Sequence, residues 1–173
     1  MADTANLLVS YDPNHEAGAK GEIEALFKEV NENFKILKRD VDGLMNVRVK
    51  DPLKAVKKMS ELARKDLDKF DKTFHWIPIQ KWCKASVKDM QKVIKELAKG
   101  IKKGEKWKLD LGKRKTKEHE KDLIIKLTGV IDNPNVDLDK PDKIVKVEIV
   151  GNKAGLSLIG ADELLNIAKM KAK

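Results

Sequence analysis

The sequence has little of what cross-links a fold or binds a metal. One cysteine, Cys83, stands among 173 residues. That excludes an intramolecular disulfide and any thiolate-cluster zinc site. The three histidines, His15, His75 and His119, lie far apart and share no metal-ligand spacing. Aromatic residues make up 5% of the chain, too few and too unevenly spread for a base-stacking platform. No apolar run approaches the length that spans a bilayer. The opening MADTANLLVSYDP has neither the basic nor the apolar segment of a signal peptide, so a cytoplasmic protein without membrane association is expected. The nucleotide-cradling patterns GxGxxG and GxxxxGK[ST] are missing. The loop NHEAGAKG, with Gly18, Lys20 and Gly21 ahead of a helical pattern, lacks their spacing and reads as a plain loop. No His or Cys pairs with an acid in a pattern for nucleophilic catalysis. These gaps lead to the expectation of a protein that is not an enzyme and carries no cofactor.

What the chain does have is charge. Lys and Arg number 37 against 28 Asp and Glu, a net +9. Such a surplus points to a polyanionic partner. The cations concentrate between residues 99 and 117: Lys99, Lys102, Lys103, Lys106, Lys108, Lys113, Arg114, Lys115 and Lys117, opposed within that segment by Glu105 and Asp110. There KWKLDL alternates as a strand, with Trp107, Leu109 and Leu111 on one face and Lys106, Lys108 and Asp110 on the other. GKRKTKEHEKDLIIKL then turns into an amphipathic helix, with Lys113, Arg114, Lys115, Thr116 and Lys117 at the corner. Unpaired amides at a helix start donate to phosphate, and an arginine forks onto one. A solvated lysine-rich face with an ordinary cap is the alternative. No helix-turn-helix, finger or zipper pattern is present, so no duplex-DNA specificity is expected and RNA is favoured over DNA.

Periodicity organises the chain into two halves. Strand patterns at 6–10, 35–40 and 44–49 alternate with a helix carrying Ile23, Leu26, Phe27, Val30 and Phe34, and with one beginning at Asp51-Pro52 and running to about residue 68. The order β-α-β-β-α is most of a split βαβ motif. FDKTFHWIPIQKWCKAS, rich in Phe74, Trp76, Ile77 and Trp82, reads as a junction whose side chains fix the halves together, and Pro78 limits its strand to an edge or an irregular one. Ser86 caps a third helix containing Met90, Ile94 and Leu97. A strand with Trp107, a helix over 117–131, a polar connection DNPNVDLDKPD, and a hairpin of KIVKVEIV and KAGLSLI complete the second half. The last residues read as a short helix or a frayed tail. The expected boundaries are 1–73, 74–165 and 166–173.

Three segments, WIPIQKWC, KKGEKWKLDLGKRKT and VDLDKPDKIVKVEIVGNKAGLSLI, make the second half resemble a THUMP domain, and the chain with its first half is similar to the Tan1-like family. The resemblance implies an α+β fold of two small domains: an N-terminal ferredoxin-like domain packed against a C-terminal THUMP-type domain with helices on a small mixed sheet. It implies RNA-binding by Lys102, Lys103, Lys106, Lys108, Lys113, Arg114, Lys115, Thr116 and Lys117. Gly155, matching the glycine of the last hairpin, is placed close to backbone or bound RNA. The implied role is a non-catalytic adaptor that presents tRNA to a separate RNA acetyltransferase for N4-acetylcytidine formation. The alternatives are a protein-interaction module with a basic docking face, and a small catalytic RNA-modifying subunit.

Overall fold

The computed structural model describes residues 4–114 and 120–173, Arg114 by its backbone alone. Two compact units divide the chain: Met1–Ile79 with Asp162–Lys173, and Gln80–Ala161.

In the first unit the chain runs β1 (Leu7–Tyr11), α1 (Glu16–Glu29), β2 (Phe34–Leu37), β3 (Leu44–Val49), α2 (Pro52–Lys65) and β4 (Thr73–Pro78). These strands form an antiparallel sheet in the order β2-β3-β1-β4. Helix α2 starts where the sequence places it: Asp51 accepts the Lys54 N–H, and Pro52 occupies the first turn, where its missing donor costs nothing. Apolar residues of α1 (Ile23, Leu26, Phe27) and α2 (Val56, Met59, Ala63) meet Leu7, Val9, Met45 and Val47 in one core.

Trp76 belongs to this core rather than to a junction. It pairs in register with Val9, is fully buried, and meets Phe27 and Phe70 edge-on at 5.7 and 6.2 Å. Alternation along β4 explains the correction: Trp76 faces the helices while its neighbour His75 faces away and contacts Ser10. Residues 74–79 therefore complete the first unit, and the boundary falls between Ile79 and Gln80 instead of at 73/74.

In the second unit β5 (Lys81–Lys84) leads to α3 (Val87–Leu97), β6 (Trp107–Arg114), α4 (Glu120–Thr128), β7 (Lys143–Val150) and β8 (Lys153–Ile159). The sheet order is β5-β8-β7-β6; β6 and β7 are parallel and the other pairs antiparallel. The α+β class and the small mixed sheet agree with expectation. Met90 and Ile94 of α3 and Leu123 and Leu127 of α4 pack with Trp107, Val145, Val147, Ile149 and Leu156. Strands β7 and β8 form the expected hairpin, turned by Gly151 and Asn152 with Gly151 at φ +64, a conformation glycine adopts without penalty.

The chain then returns to the first unit. Strand β9 (Leu165–Asn166) pairs with β4, and α5 (Ile167–Lys171) follows, capped by the Asn166 side chain on the Lys169 N–H. The expected tail over 166–173 is thus an integral part of the first unit, because Leu165 and Ile167 bury in its core. Pro78 still escapes the ladder on that side, since β9 pairs with His75 and Trp76 alone. Among the described residues no helix is long and apolar enough to cross a membrane.

Candidate nucleic-acid interface

The charge is divided very unequally between the two units. Gln80–Ala161 holds 20 Lys or Arg against 12 Asp or Glu, a surplus of eight; the rest of the chain holds 17 against 16, a surplus of one. Nearly the whole +9 therefore belongs to the second unit, and a polyanion attracted to the protein is attracted there.

Within that unit the topology gathers cations at one end of the sheet. Strands β5, β6 and β7 run the same way, and α3 and α4 carry the chain back between them. Their carboxyl ends therefore share an edge of the sheet. Register puts Arg114 opposite Val150, Val150 opposite Lys153, and Lys153 opposite Lys84, a single rung across all four strands. Strands are about 4.8 Å apart, so three cationic positions span about 14 Å. Lys113 precedes Arg114 on β6, and Lys88 opens α3 beside the same edge. Lys153 Nζ lies 4.7 Å from the centre of the Trp82 ring, a cation–π contact that holds its side chain along the sheet.

The basic segment of the sequence is split by β6. Lys102 and Lys103 are exposed in the turn that precedes the strand, and Lys113 and Arg114 end it. Seven residue steps separate Trp107 from Arg114, about 23 Å. So the segment supplies two basic groups at opposite ends of the sheet, not one cluster. Lys106 lies just before the strand rather than on its face with Lys108, and its ammonium is 3.5 Å from Asp137. Lys108 is half-buried in β6 and Lys113 likewise. Gly155 sits in the middle of β8, buried, with Trp82 and Glu148 as its register partners, so it is part of the sheet rather than of the hairpin turn. Lys115, Thr116 and Lys117 lie outside the described residues.

Acids temper the lower end. Lys99 pairs with Glu96 at 3.1 Å, and Lys143 pairs with Glu105 at 2.7 Å. The Lys143 ammonium and the Lys102 N–H hold the Glu105 carboxyl below the usual range. Asp137 is likewise held low, first by the N–H of Lys140, then by that of Asp139, which together fold the VDLDKPD connection around its side chain. Beneath the sheet's face opposite the helices, Lys146 (5% exposed) lies 3.3 Å from Glu148 (2% exposed) and 3.5 Å from Asp110.

A second lysine row went unread in the sequence. Lys88, Lys92 and Lys95 on α3, with Lys99 in its 3-10 extension, are all exposed and recur at i, i+4, i+7 and i+11. That spacing puts them on one side of the helix. The signal was available in SVKDMQKVIKELAKG, whose apolar stripe drew attention away from the polar one. Between this helix and edge strand β5 lies a cavity of about 350 Å³, lined by Lys81, Cys83, Asp89, Lys92, Val93, Glu96 and Leu97. Burial, and then the Asp89 carboxylate, push the Cys83 thiol up, away from nucleophilic reactivity. Among the described residues no group of three or more His, Cys, Asp or Glu is placed to hold a metal ion.

Residues 84–159 match the THUMP domain family. No curated protein matches the sequence. Solved structures share the fold at low identity. PH1313 from Pyrococcus horikoshii is 18% identical, with a TM-score of 0.61 over 89% of this chain and 54% of its own. TrmN from Thermus thermophilus is 15% identical, with a TM-score of 0.55 over 88% and 44%. A protein of Clostridium difficile described as a possible methylase is 16% identical, with a TM-score of 0.59 over 90% and 41%. The chain thus spans about half or less of the length of these proteins. The expectation of a non-catalytic adaptor serving a separate acetyltransferase, and with it the expectation that the protein is not an enzyme, is corrected by these likenesses. The two-unit fold recurs inside longer chains, one of them described as a possible methylase. The match and the topology together make residues 84–159 a THUMP domain.

Proposed function

We propose that the chain is the RNA-binding part of a catalytic RNA-modifying unit acting on tRNA. The observation that carries this reading is the coincidence of the THUMP match with the charge: Gln80–Ala161 contains residues 84–159 and eight of the nine surplus positive charges. The tRNA backbone lies along the end of the sheet, with phosphates on Lys84, Lys113, Arg114 and Lys153. The corner residues Lys115, Thr116 and Lys117 continue this contact, and Lys102, Lys103, Lys106 and Lys108 meet RNA farther along. Sites at the carboxyl ends of parallel strands follow a general rule for open sheets flanked by helices. The first unit acts as a ferredoxin-like domain; its β-α-β-β-α-β order and its β2-β3-β1-β4 sheet support that name. A single cysteine suits a reducing cytoplasm.

Two measurements test the proposal. Filter binding of bulk tRNA and of duplex DNA across a salt series should give tighter tRNA binding, with affinity falling steeply as salt rises. Equal affinity for both, or binding indifferent to salt, contradicts the RNA-binding part. The catalytic part is tested with unmodified tRNA transcript and labelled S-adenosylmethionine, because one structural neighbour is described as a possible methylase. Label in the RNA supports it; none argues against methyl transfer by this chain.

A further inference from the structure

Strand β6 ends its sheet, and its outer side carries a ladder that begins and then stops. At Trp107 the outer side is filled: its N–H donates to the Asn135 carbonyl at 2.9 Å, its carbonyl accepts the Asp137 N–H at 2.9 Å, and Val136 bridges it in parallel. The chain leaves the ladder at the next step, because the Asp137 carboxylate takes the N–H groups of Asp139 and Lys140 and turns it away. Backbone direction alternates along a strand, so the N–H and C=O groups of Leu109 and Leu111 point outward like those of Trp107. Among the described residues nothing hydrogen-bonds to them there. Lys108 to Lys113 are accordingly half-buried, whereas the inner strand β7 is buried from Ile144 to Val150. Val136 and Leu138 stand at the start of this open edge, 54% and 70% exposed. Their loop is held from several sides: the Trp107 indole N–H donates to the Asn133 carbonyl, Asn133 Oδ1 accepts the Asn135 N–H, and the Asp142 N–H donates to the Lys106 carbonyl. Side chains presented on a fixed backbone lose little further freedom when a partner covers them.

We infer that the open edge of β6 docks an extended segment of another protein, which adds a fifth strand beside Leu109 and Leu111 and rests one end on Val136 and Leu138. Strand addition to a free edge draws its affinity from main-chain hydrogen bonds and its choice of partner from alternate side chains. Here the side chains that fall on the helix side of the sheet meet Leu109 and Leu111, which pack against the core, so they are apolar. Those on the other side are polar and uncharged, because the charge along this stretch is already balanced. Lys106, Lys108 and Asp110, taken with the ion-pair partners Asp137, Lys146 and Glu148, sum to zero within a unit whose surplus is eight. The same balance argues against RNA at the edge, and a nucleic acid has no row of paired donors and acceptors repeating every two residues, about 6.6 Å, to match the outward groups. The inference does not depend on the RNA-binding reading. Lys108 projects from the face opposite Leu109 and stays open to RNA while the edge is occupied.

Amide exchange followed by NMR on the whole chain tests this. In the protein alone the Leu109 and Leu111 amides should exchange much faster than those of Lys108 and Asp110, which face β7. Protection of all four in the free protein would mean that the edge is already closed, by the chain itself or by a second copy, and would overturn the inference. The probe is a soluble peptide that alternates Val with Thr and ends in one Lys and one Glu. At millimolar concentration it should slow exchange at Leu109 and Leu111 at least fivefold and leave the exposed loops of the first unit unchanged. Its fully N-methylated counterpart, which cannot complete a ladder, should have no effect. Unchanged exchange with the first peptide overturns the inference, as does equal slowing by both. Leu138→Ser, at an exposed position outside the core, should keep the parent's melting temperature and weaken the peptide at least threefold; undiminished binding would remove the loop from the site and overturn the assignment. Bulk tRNA, added in place of the peptide, should leave the Leu109 and Leu111 amides exposed. Their protection by tRNA would make the edge an RNA surface and likewise overturn the choice of occupant.

Discussion

The carboxylate of Glu148 lies over the α-carbon of Gly112, its register partner on the neighbouring parallel strand. A Cβ at residue 112 would come within 2.7 Å of the Glu148 carboxyl carbon and closer still to Oε2. Glycine is therefore required here by space rather than by backbone torsion, and it lets Glu148 reach Lys146.

Gly112→Ala should displace that carboxylate and destabilise the second unit by about 1–3 kcal/mol, the range for overpacking a fitted site. Glu148→Ala should also destabilise, because it leaves the ammonium of Lys146 buried with Asp110 as its remaining acid. In a double-mutant cycle the two changes should be strongly non-additive, since the second removes the group with which the first collides. Chemical denaturation of the four proteins checks this. Additive losses would mean that the two residues act independently.

Trp107 should prove structural. Its side chain is 2% exposed and its indole N–H donates to the Asn133 carbonyl at 3.1 Å. Trp107→Ala should cost about 3–5 kcal/mol. The surviving folded fraction should bind tRNA as the parent does. Unfolding curves and tRNA affinity measured on the same preparation separate the two effects.

Acid should loosen the connection between α4 and β7 before it unfolds the chain. Asp137, held below the ordinary carboxylate range by two backbone N–H groups, contributes stability that is complete above the unfolded-state value of about 3.9. That contribution is lost as pH falls through the lower folded value. Amide exchange at Asp139 and Lys140 should therefore gain speed, relative to the intrinsic rate, as pH falls below about 4. In Asp137→Asn the same amides should be less protected at neutral pH and show no such step.

Periodicity revealed most of the elements, because each core face repeats at the period of its own structure. Ile23, Leu26 and Phe27 announce α1, and Trp107, Leu109 and Leu111 announce β6. The errors arose where the decisive partner is remote. Trp76 looked like a junction residue because its ring neighbours, Phe27 and Phe70, become neighbours only when β4 pairs with β1. The last segment looked like a tail because β9 has two residues and gains its meaning from β4, about 90 positions earlier in the chain. The site was legible as charge but not as shape. Local counting made one cluster of 99–117, while the strand inside it separates its ends and brings Arg114 instead toward Lys153 and Lys84. Asp137 was invisible as a counter-charge to Lys106 for the same reason.

Glu22 illustrates a polar role that no local pattern marks. From α1 its carboxylate accepts the N–H groups of Asp71, Lys72 and Thr73, each at 2.8 Å, fixing the approach to β4. Glu22→Ala should destabilise the first unit by about 1.5–3 kcal/mol, the scale of hydrogen bonds to a charged group. Glu22→Gln, which keeps one acceptor oxygen, should cost less. Thermal melts of both variants rank them, and equal losses would show that the charge matters more than the acceptor count.

The central claim is that RNA phosphates lie on the rung at the carboxyl ends of β5, β6 and β7. The most direct measurement is the slope of log affinity for tRNA against log salt, for the parent and for a variant with Lys84, Lys113 and Arg114 changed to Gln. Each lost phosphate contact removes about 0.7–0.9 from the slope. The account predicts a stable, folded variant whose affinity is reduced and whose slope is shallower by about 2 to 3. A folded variant with the parent's affinity and slope would contradict it.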